Sequence, residues 1–243
     1  MYKLLIIIKQ RVIVLSISIP TCRQDIFMSG DRYMIIYAVL INSSIKRYNF
    51  PKHKGAEYFM ASQNNTLGYI IIDGTETQIR GAALVTDAKG FPVDFVRTDP
   101  LRPDQLSRIL YGEAFGKYAK EKLILESLLD SVEADPQLWI CNDPDILLPL
   151  REKSRIKTVL LEESPHVPLD AAGHIETTAD PGVFLIQANA NGAPLRAEFP
   201  AGVRPDEIQQ TGVILTELST TMDVLEPFAR LDKALSFLAS GAR

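Results

Sequence analysis

The chain has 243 residues, 46% apolar and 23% charged, with a formal net charge of −4. That length holds one large domain or two small ones around a sizeable core, and two cysteines cannot make a disulfide framework. The mildly acidic balance offers no global attraction to nucleic acid or an anionic membrane, and no apolar run reaches the length of a membrane span, so a cytoplasmic protein with neither partner is expected.

Residues 1–59 differ from the rest. They carry nine Lys/Arg against three Asp/Glu, a balance of +6, whereas the remaining 17 Lys/Arg and 27 Asp/Glu give −10. Isoleucine runs such as Ile6-Ile7-Ile8 show no turn-bounded pattern. Met60 begins a short polar lead. Residues 1–59 are therefore expected to be a non-native or disordered N-terminal extension, and 60–243 a single globular domain. An export signal is the rival reading, but Lys9 and Arg11 interrupt the apolar stretch and no small-residue cleavage site follows.

From residue 67 onward the elements follow one another clearly. Leu67–Asp73 is a continuous apolar run ending in Asp73-Gly74-Thr75, which predicts a buried strand and a turn. Arg80–Thr86 predicts a second strand. Asp87-Ala88-Lys89-Gly90 predicts a tight loop, because Asp bonds its own backbone and Gly accepts positive φ. Val93–Arg97 is the return strand. Pro103 and Asp104 suit a helix start. Leu106, Leu110, Ala114, Tyr118, Leu125, Leu128 and Val132 keep helical spacing to about Glu133. Gln137–Asn142 reads as a strand, Asn142-Asp143-Pro144 as a helix cap, and Thr158–Leu161 as another strand. A Pro/Gly-rich loop leads to a second hairpin, Val183–Phe199. Pro205 opens a helix with Ile208, Leu215, Leu218, Met222 and Leu225 on one side. A last helix carries Phe228, Leu231, Leu235 and Leu238.

Residues 82–106 match 184–208 at a constant shift of 102. Ala88, Gly90, Pro92, Arg102, Pro103 and Asp104 recur as Ala190, Gly192, Pro194, Arg204, Pro205 and Asp206. The expected fold is α+β, with mixed α/β as the variant. It comprises two hairpin-then-helix units related by an internal repeat, with pseudo-repeat halves at about 67–162 and 183–240. A strand–helix–strand insertion lies between them, and the C-terminus is helical.

No nucleotide-binding glycine pattern and no nucleophile elbow is present. Cys141 in an apolar strand beside Trp139 reads as packing rather than a nucleophile. His166 and His174 match no zinc spacing. Arg102 and Arg204, just before helix starts, are candidate anion-binding residues, though pairing with the nearby Asp104 and Asp206 accounts for them too. Tyr111, Phe115 and Tyr118 beside Gly112 and Gly116 either line a pocket or pack in the core.

With no convergent catalytic set, the leading reading is a non-catalytic interaction or assembly module without a cofactor. Its partner is an unknown protein or a second copy, docked on the C-terminal helices. The alternative comes from residues 67–162, whose strand-strand-strand-helix-strand-helix-strand order resembles the ribonuclease H-like fold. That resemblance implies a metal-dependent nuclease. Asp73, then Glu113 or Glu126, then Asp143 would hold two Mg or Mn ions, about 4 Å apart, that activate water.

Overall fold

The computed structural model describes residues 2–8, 11–17, 45–48, 66–75 and 78–240. Two units are distinct, residues 1–42 and 43–243. In the first, strands β1 (Tyr2–Ile8) and β2 (Arg11–Ile17) pair antiparallel, Tyr2 opposite Ile17. The branched aliphatic runs that carried no turn-bounded pattern in sequence are good strand formers. Met60, the expected start, lies outside the described residues.

The second unit is built on one nine-stranded mixed sheet. Its strands are β3 (Ile45–Arg47), β4 (Leu67–Thr75), β5 (Gln78–Thr86), β6 (Pro92–Thr98), β7 (Leu138–Cys141), β8 (Lys157–Glu163), β9 (Ile175–Thr177), β10 (Val183–Ile186) and β11 (Leu195–Glu198). The spatial order is β3-β6-β5-β4-β7-β8-β11-β10-β9. The central strands β4, β7 and β8 are parallel, and the flanking pairs are antiparallel. The sheet thus takes in three residues from before Met60, since Ile45 pairs with Thr98.

Alternation along β4 shows why both faces are covered. Leu67, Tyr69 and Ile71 enter one core and Ile70 the other, because successive strand side chains point to opposite faces. A central strand buried on both sides reads as an unbroken apolar run. On the first face lie α5 (Pro205–Leu218) and α6 (Glu226–Ala239). On the second lie α4 (Pro144–Ser154) and a long helix made of α2 (Ala114–Tyr118), a π-helical segment (Ala119–Leu125) and α3 (Glu126–Leu129).

The expectation of α+β holds at the level of mixed α and β. The strand–helix–strand β7-α4-β8 stands at the sheet centre beside β4, with a hairpin on either side. The two hairpins do run antiparallel, and Gly90 and Gly192 both have positive φ, 79° and 111°. Their helix starts differ. Asp104 caps α1 (Gln105–Tyr111) by accepting from the Ser107 amide at 2.6 Å, whereas α5 begins after Arg204 with Pro205 in its first turn. The caps are therefore two positions out of register at the 102-residue shift.

The predicted helix to Glu133 breaks at Gly112, whose φ of 52° and ψ of −135° end α1. No residue of α1 is buried, and Leu106 and Leu110 are exposed. Helical spacing puts apolar residues on one side of a helix but does not say what covers that side. The C-terminal stripe has the opposite fate. Ile208, Leu215, Leu218, Phe228, Leu231 and Leu235 are buried in the chain's own core, and Met222 and Leu225 pack against it. Phe228 meets Tyr69 of β4 edge-to-face with ring centroids 5.4 Å apart. The stripe expected to dock a partner or a second copy is therefore spent on the sheet. Leu238 remains on the rim. Strand β9, inside the predicted Pro/Gly loop, went unseen because three residues carry no periodicity.

Candidate active site

A cavity of about 630 Å³ opens at the carboxyl end of β4, under the α1–α2 junction. It is lined by the strand end Ile72–Thr75 and by Arg108, Glu113, Phe115 and Lys120, with Gly112 and Gly116. Open α/β sheets bind ligands outside the carboxyl ends of their parallel strands. The two glycines make room here, since no atom lies within 4 Å of where a side chain on either would begin. Phe115 thus lines the cavity. Tyr111 instead stacks on Tyr118, their ring centroids 4.6 Å apart.

The four carboxylates proposed from sequence do not gather into one cluster: Asp73 and Glu113 line the cavity, and Glu126 and Asp143 do not. Asp73 borders the cavity, but its position in β4 shares the parity of Tyr69 and Ile71. Its Oδ2 accepts from Arg80 Nη2 at 2.8 Å and Nε at 3.1 Å. Arg80 in turn donates to the Leu235 carbonyl of α6, so the pair leans to the C-terminal-helix face. Glu126 is held by Lys122 and Lys153 at 3.1 and 2.7 Å. Burial works to raise its pKa, and the bonds from Lys153 and Lys122 outweigh it, so the net shift is downward. Glu113 precedes α2, is exposed, and makes no capping bond.

Asp143 is doubly used. One oxygen caps α4, accepting from the Asp145 amide at 2.9 Å, and the other accepts from Lys120 Nζ at 2.9 Å. Lys120 also donates to Asp145 Oδ2 at 2.7 Å. Burial works against the ammonium, but the bonds to Asp145 and Asp143 win, and its pKa rises above 10.5. A lysine raised in this way loses its contribution only as pH climbs through the raised value. The bridge is therefore intact throughout the neutral range.

This donor set does not fit a pair of divalent ions. Two-metal catalysis needs carboxylates gathered around ions about 4 Å apart. Among the described residues no group of three or more His, Cys, Asp or Glu side chains is placed to hold a metal. His166 and His174 are exposed loop residues.

Arg108 and Lys120, the cations of the cavity, were not singled out in the sequence. No spacing marks them, and Lys120 reaches Asp143 across 23 residues only because π-helix and strand end meet. The anion-site candidates go elsewhere. Arg102 reaches Gln78, and Arg204 pairs with Asp206 at 3.3 Å, as the pairing alternative expected for the latter. Cys141 is buried, and burial pushes its thiol pKa up to about 12. In a Cys22→Ser background, native protein is expected to resist a thiol-labelling reagent that modifies it fully once unfolded, because the thiolate is the reactive form. Fast native labelling would show an accessible thiol.

Among the described residues no helix is long and apolar enough to cross a membrane. The chain matches no family model and no curated protein. Its fold does have counterparts. Endonuclease V from Streptomyces avermitilis superposes with a TM-score of 0.51 at 16% identity, over 74% of this chain and 84% of that one. Human ENDOV gives 0.52 at 12% identity, over 75% and 87%. Endonuclease V from Ciona intestinalis, a looser likeness at 0.46 and 11% identity over 77% and 98%, was solved in complex with DNA. The likeness corrects the leading sequence reading of a non-catalytic interaction module, since the fold is one that endonucleases use. With that reading falls the charge-based ground for expecting no nucleic-acid partner. Net charge sums the whole surface and does not show how individual charges are placed on it.

Proposed function

We propose that residues 66–240 form a nucleic-acid-processing domain of the nuclease class, which takes a phosphodiester into the cavity beside Arg108, Glu113 and Lys120. The observation that carries this reading is the meeting of two cations, Arg108 and Lys120, with two carboxylates, Glu113 and the Arg80-paired Asp73, at the carboxyl end of the central strands, in a fold shared with Endonuclease V. Cations at that place would face the charge that develops on the phosphoryl oxygens. Glu113 pairs with no cation among the described residues and is the group to take a proton from an attacking water. The alternative derived from residues 67–162 keeps its nuclease chemistry here, while Asp73, Glu126 and Asp143 act as structural ion-pair partners. A cytoplasmic location belongs to the same proposal.

End-labelled single- and double-stranded DNA and RNA, incubated with the protein in Mg²⁺ and in EDTA, test it. Cleavage of at least one substrate is expected, falling about 100-fold or more in Glu113→Gln. No cleavage of any substrate, or cleavage indifferent to Glu113→Gln, overturns it.

A further inference from the structure

The position of Lys120 departs from what a metal-dependent arrangement requires. Its ammonium lies 2.9 Å from Asp143 and 2.7 Å from Asp145, at the carboxyl end of β7. Each oxygen of Asp143 already accepts a bond, one from this bridge and one from the cap on α4, so the ammonium occupies the position from which an external cation would approach. The helix is shaped to this contact. Residues Ala119–Leu125 adopt the rare π form, which inserts extra chain into each turn and occurs frequently at functional sites. Here it buries Leu123, Ile124 and Leu125 in the core while directing Lys120 to the start of α4. The bonds to the two aspartates use two of the three ammonium protons, and Lys120 itself lines the cavity.

We infer that the Lys120 ammonium takes the place of a divalent cation at the end of β7, so that this chain meets a nucleic-acid phosphate with a fixed protein cation and no metal ion. The second half rests on the nucleic-acid reading above; the first does not. A lysine held by two carboxylates is a positioned point charge, and it lines the same cavity as Arg108.

Two measurements on the full chain separate the halves. The first is Mn²⁺ uptake followed by electron paramagnetic resonance. The parent is expected to take up no Mn²⁺ below the millimolar range. Lys120→Met, which frees both carboxylates, is expected to bind one ion at least about tenfold more tightly and to lose it when Asp143→Asn is added. Asn retains the cap, and Lys120→Gln serves if the methionine variant does not fold. Sub-millimolar uptake by the parent that Asp143→Asn abolishes would overturn the inference, as would no gain in a folded Lys120 variant. The second is fluorescence anisotropy with labelled single-stranded DNA and RNA, in EDTA and in Mg²⁺ at matched ionic strength. Affinities equal within about twofold are expected, with at least a tenfold loss in Lys120→Gln. Binding that appears only with Mg²⁺ overturns the metal-free contact. No binding in either medium sinks the nucleic-acid reading, while the Mn²⁺ result still decides what occupies the end of β7.

Discussion

Trp139→Ala is expected to lower stability by about 3–5 kcal/mol, against about 5–15 kcal/mol available to a domain as a whole. Trp139 is 2% exposed and sits in β7, between the parallel strands β4 and β8. Its indole lies over Gly68 of β4, opposite it in register, so closely that a Cβ on Gly68 would overlap the ring. Glycine is therefore required by space at that position. Removing the indole leaves a void that close-packed neighbours do not fill. Urea unfolding followed by far-ultraviolet circular dichroism measures the loss; fluorescence will not serve, since Trp139 is the only tryptophan. Gly68→Ala alone should also cost about 1–3 kcal/mol through overpacking. In the double variant the two losses should fail to add by 0.5 kcal/mol or more, as for residues in contact. A Trp139→Ala midpoint unchanged from the parent would mean that the two central strands are not packed as described.

The second large effect is expected at Arg151. This α4 residue makes a two-pronged ion pair with Glu207 in the first turn of α5, Nη2 donating to Oε2 at 2.8 Å and Nη1 to Oε1. It also donates to the Ile156 carbonyl just past the end of α4. The Glu207 side chain is 6% exposed and that of Arg151 33%. Removing the arginine strands a buried carboxylate, which costs about 3–5 kcal/mol for a fully buried pair. Water reaching the exposed side of Arg151 reduces this to about 2–3 kcal/mol. The same urea experiment measures it. Arg151→Met/Glu207→Met should recover at least half of the loss, because a buried pair replaced by apolar groups leaves no charge unpaired. A double variant as unstable as Arg151→Ala would show that the carboxylate is not the source. The pair also bears on architecture, since α4 and α5 lie on opposite faces of the sheet and this contact joins the two layers.

Much of the fold was legible because the responsible signals are local. The apolar run at Leu67–Ile72, the Asp87–Gly90 loop, the cap at Asp143 and the proline at 205 each act within a few residues, and each marks an element that exists. Local patterns also misled where coverage, not conformation, decides the outcome. The stripe through Ile208 and Leu215 and the stripe through Leu106 and Leu110 look alike as sequence. One is buried on the sheet and the other faces solvent, because only the first lies against strands, where Gly212 meets Ile175 and Ile186.

The candidate site was less legible. Glu113, expected on a helix, lies in the turn between α1 and α2 and lines the cavity. Asp73 was found as a strand-end carboxylate, but a residue's parity in a strand fixes its face, and the partner that draws it, Arg80, acts across a hairpin. Asp143 was read correctly as a cap, while its other oxygen belongs to a lysine 23 positions earlier. By itself the chain's order of residues determined most of the strands and helices from Leu67 onward, the mixed αβ composition and the buried strand that begins at Leu67. Tertiary structure alone decided which charges meet. Ion pairs depend on distances of a few ångströms between side chains remote in sequence, and those distances follow from strand order and helix placement rather than from residue spacing.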